Sequence, residues 1–145
     1  MITQDEFDRT ITNFDMLEPT RSPLYGMSLN LLKGGFEIEA YLMILATWNF
    51  ANCRYILTSF NLDAFRKVIN ETQPIFERLG NANFQTADIT DLAEDIKSVY
   101  APFKKLVCQT GAAKIIHFKQ PALFVMWDTS IRSKFKIDNQ GTPDD

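Results

Sequence analysis

The sequence predicts an all-α fold, a compact multi-helix domain, and three observations carry the prediction. Apolar residues recur at helical spacing along most of the 145 residues. Few segments alternate with period two, and none lies beside a convincing hairpin turn. The apolar share, 46%, is that of a globular chain large enough to bury a core. One helical domain spanning residues 1–145 is expected, with roughly seven to nine helices.

Phe7, Ile11 and Phe14 fall at i, i+4, i+7 and mark an amphipathic first helix, closed by the turn region from Glu18 to Pro23. Leu24–Lys33 reads as a second helix that Gly34-Gly35 terminates. From Phe36 to Trp48 the chain is polar only in its first turn, so this helix is expected at the centre of the core. Phe50–Phe60 continues or follows it as another core helix. Asn61 is a good N-cap for the next helix, with Asp63 favourably sited in its first turn. Pro74 is expected to start a short helix ending at Gly80, and NANFQT is loop. Thr90 is the N-cap candidate for Leu92–Tyr100; Pro102 interrupts that helix and FKKLV resumes it. Thr110 is the cap candidate for Ala112–Phe118. Pro121 then precedes the apolar run Ala122–Trp127, within which Leu123–Trp127 is a candidate short strand. Asp128 can cap a last helix, Thr129–Phe135. Thr142-Pro143-Asp144-Asp145 reads as a helix start, so the chain either frays there or is a piece of something longer.

No run approaches the length of a membrane span, and the acidic N-terminus lacks the order of a secretory signal. Cys53 and Cys108 are far apart, which suggests buried free thiols in a reducing, cytoplasmic setting. One histidine and no cysteine cluster argue against structural zinc or an iron–sulfur centre; no cofactor is expected. The net charge of −3 hides an asymmetry. Residues 1–96 carry seven Lys/Arg against fourteen Asp/Glu. Residues 97–136 carry eight (Lys97, Lys104, Lys105, Lys114, Lys119, Arg132, Lys134, Lys136) against Asp128 alone. Such a block is either the footprint of a polyanion surface or a solvated face paired with the acidic half.

The densest chemistry lies in Thr110–Arg132, TGAAKIIHFKQPALFVMWDTSIR, with the single histidine and Trp127. Asp128 closes an apolar run at the edge of the core. There it caps a helix and pairs with Arg132 at i+4, or serves as a partly desolvated carboxylate that steadies a cation or activates water. Lys114 either snorkels to solvent or, against an apolar wall, acts as a nucleophile. His117, three residues on, shares its face and is either a hydrogen-bonded, half-buried structural residue or a catalyst. Trp48-Asn49-Phe50-Ala51-Asn52 is either a kink between core helices or an aromatic–amide group fit for a planar, hydrogen-bonding base.

The segment ALFVMWDTSIR resembles the aspartate-bearing part of the helix-hairpin-helix DNA glycosylase superfamily, and TGAAKIIHF resembles the helix after its hairpin. The resemblance spans about 25 residues and departs at the hairpin, where LVCQTGAAK holds a single glycine, Gly111. It implies an all-α glycosylase-like fold in which Asp128 is the catalytic aspartate and Lys114 sits near the lysine position. The function it implies is hydrolysis of the N-glycosidic bond of a damaged or mismatched base in double-stranded DNA. Lys104, Lys105, Lys119, Arg132 and Lys134 would hold phosphates. The base would flip into a pocket between the Trp48 region and the Asp128 helix, with His117 and Trp127 among its contacts. The alternative is a non-catalytic helical module that binds nucleic acid or a protein partner through the basic 97–136 face. A small-molecule enzyme or interaction domain, in which the charge asymmetry has no role, is the third reading. The sequence leaves substrate and oligomeric state open.

Overall fold

The computed structural model describes residues 3–126 and residue 133. Among the described residues every regular element is a helix, with no strand and six helical elements. They are α1 (Gln4–Leu17), α2 (Arg21–Lys33), α3 (Glu37–Trp48), α4 (Phe50–Thr58), α5 (Leu62–Leu79) and α6 (Ile89–Lys119). The chain divides into two compact units, Met1–Trp48 and Asn49–Asp145.

In the first unit α1 starts on a capping box. Glu6 N–H donates to Thr3 Oγ1, and Thr3 N–H donates back to Glu6 Oε2 at 2.8 Å. α2 packs on α3. Pro23 lies in the first turn of α2, where a missing N–H costs no helical bond. The turn between these helices is a Schellman motif: Phe36 N–H donates to Leu31 O and Gly35 N–H to Leu32 O. Gly35 sits at φ 84, the conformation this motif demands and a side chain resists. Ala40, Tyr41, Ile44 and Leu45 form the buried face of α3, while Ala46 is exposed and Leu42, Met43 and Trp48 are half-buried. The apolar helix is therefore buried on one face, not all round.

The second unit corrects several boundaries. α5 runs unbroken through Pro74, and α6 runs through Pro102. Each proline removes a bond to the carbonyl four residues back, and the residues that carry those carbonyls, Asn70 and Ser98, are exposed. Asn61 does cap α5, accepting from Ala64 N–H at 2.9 Å. The cap of α6 is Asp88, which accepts from Thr90 N–H at 2.9 Å, so Thr90 is inside the helix. Thr110 lies just after a break in α6, so the expected helix does begin here, a little earlier than its predicted cap. The break comes at Val107–Cys108, where Cys108 stands at φ 61, ψ 174 and divides α6 into two stretches. Of the described side chains of α4 only Cys53 and Ile56 lie in the core, while Phe50, Tyr55 and Leu57 are exposed. Leu123–Met126 forms turn and irregular backbone, not a strand.

The core of this unit forms where α5 packs on α6. Phe65 meets Phe103 edge to face at 6.1 Å, and Phe76 meets Phe124 at 6.3 Å. Its most enclosed stretch is the second part of α6, where Gly111 through Ile116 and Phe118 are all buried. At the surface Arg78 Nη2 bonds Asp95 Oδ1 at 2.6 Å, and the pairing lifts the Arg78 guanidinium above its ordinary pKa.

Candidate functional site

Lys114 sits in the middle of that enclosed stretch, 5% exposed, flanked by Ala112, Ala113, Ile115 and Ile116. The snorkelling alternative is not what the fold adopts. A lysine at the surface lays its stem on apolar neighbours and keeps its amine wet; this one is held inside.

One turn later His117 is half-buried, and its Nδ1 lies 2.6 Å from the Phe124 carbonyl oxygen. A carbonyl only accepts, so Nδ1 carries the hydrogen of this bond. This bond fastens the segment after α6, and it is not alone. Phe84 N–H donates to Ala122 O at 2.9 Å, and Phe124 N–H donates to Gln120 O at 3.1 Å. Gln120 Nε2 donates to Gly80 O at 2.7 Å. Leu123 and Phe124 are buried. The chain is thereby anchored to the end of α5 up to the residues that lead into Trp127 and Asp128. Gln120 and the Phe124 carbonyl have no sequence signature beyond a polar residue before a proline at a helix end.

Of the described members of the basic block, Lys114 alone is buried. Lys97 Nζ lies 3.5 Å from Glu94, one turn back on its own helix. Lys104 Nζ stands 5.9 Å from the centre of the Tyr100 ring and Lys119 Nζ 5.9 Å from that of Phe76. Lys105 is exposed and Lys114 is inside. Asp128, Trp127, Arg132 and Lys134, with the expected helix Thr129–Phe135, lie outside the described residues. Trp48 closes the first unit, its ring edge-on to Tyr25 at 5.8 Å, whereas Asn49 opens the second and is buried. No group of three His, Cys, Asp or Glu side chains suited to a metal ion occurs among the described residues. No described helix is long and apolar enough to cross a membrane.

Known proteins offer no guide. Neither protein-family models, curated proteins nor solved structures match this chain.

Proposed function

We propose that the second unit is a DNA-binding helical domain of the helix-hairpin-helix glycosylase kind, in which Lys114 and Asp128 act at the glycosidic bond of an extruded base. The observation that carries the reading is the burial of Lys114 in the most enclosed helix of the unit. A nucleophilic amine needs a rigid backbone and shelter from bulk water. The anchored segment from Gln120 to Phe124 supports the same reading, because a carboxylate four residues further on needs a fixed origin. In this reading Asp128 steadies positive charge on the sugar as the base departs, and water completes the displacement, or Lys114 does so in its place. Lys105 and the other outward cations hold phosphates.

A second reading is a module that binds nucleic acid without cleaving it. It is favoured by the turn at Val107–Cys108, which uses a non-glycine residue at φ 61 where the resemblance implies a glycine-rich grip on the phosphates. Duplexes carrying uracil, alkylated or oxidised bases, treated with the protein and then with alkali, separate the two. Strand cleavage abolished by Asp128→Asn supports the glycosylase. Binding without product on every lesion leaves the module.

A further inference from the structure

We draw no further inference here: the strongest candidate, the exposed apolar stripe of Ile11, Phe14 and Leu17 along α1, carries nothing because nothing in the structure shows what covers it.

Discussion

Phe103 is fully buried in α6, and Phe65 on α5 is 1% exposed with its ring edge-on to it at 6.1 Å. Cutting such a phenylalanine back to alanine removes its transfer free energy and leaves a cavity, about 3–5 kcal/mol together. A domain of this size is stable by only about 5–15 kcal/mol, so Phe103→Ala should leave the second unit near its unfolding threshold. Leucine at either position keeps most of the volume but not the ring geometry, and should cost about 1–2 kcal/mol. Because edge-to-face pairs are worth about 0.5–1.5 kcal/mol beyond their area, the two leucine substitutions should couple by that amount. Urea titrations of the wild type, the two single variants and the double variant, followed by far-ultraviolet circular dichroism, measure the coupling at constant m-value. Additivity within about 0.3 kcal/mol would refute the packing described between α5 and α6. So would a Phe103→Ala protein that loses less than about 1 kcal/mol.

Three further outcomes follow from single residues. Burial, then the charge of Glu37 and the hydrogen bond to it, raises the Tyr41 phenol well above its ordinary 10.0. The unfolded chain therefore releases this proton first, and stability should fall as pH rises past that value; Tyr41→Phe should flatten this alkaline limb in thermal melts. Cys108 is exposed and Cys53 buried, with desolvation lifting the Cys53 thiol above its ordinary range. Iodoacetamide should label Cys108 rapidly and Cys53 only on unfolding, and equal rates by mass spectrometry would contradict the burial. Gln120→Ala removes the donor to Gly80 O, so it should cost about 0.5–1.5 kcal/mol. It should also speed hydrogen exchange at Phe84, whose N–H bonds Ala122 O.

Local signals in the sequence are legible where local chemistry decides. Asn61 as a cap, Gly34-Gly35 as a terminator and the Phe7–Ile11–Phe14 spacing of α1 all have causes within a few residues. A proline within a helix leaves no such local trace, because its cost depends on whether the carbonyl four residues back faces water, and that is a tertiary fact. Asp88 and Thr90 are both good caps, and only the arriving chain direction chooses between them. α3, the most apolar helix, is buried on one face, while the stretch 111–118, with a lysine and a histidine, is the enclosed one. Burial there is set by neighbours that periodicity cannot name. For the candidate site, residue types and spacing pointed to Lys114 and His117. The anchoring of Gln120 to Gly80 spans 40 residues and has no local trace.

Both readings of the second unit require that it bind DNA, so the salt dependence of that binding tests the central claim most directly. Of the eight cations in 97–136, Lys114 is inside and Lys97 lies beside Glu94, leaving six. If four to six of these meet phosphates, the logarithm of affinity for a labelled duplex should fall with that of salt at a slope of about −4 to −5. That is a loss of several hundredfold to about a thousandfold between about 50 and 200 mM salt. Fluorescence anisotropy showing this slope is the predicted result. A duplex that fails to bind at the lowest salt, or binds with no salt dependence, would contradict the account.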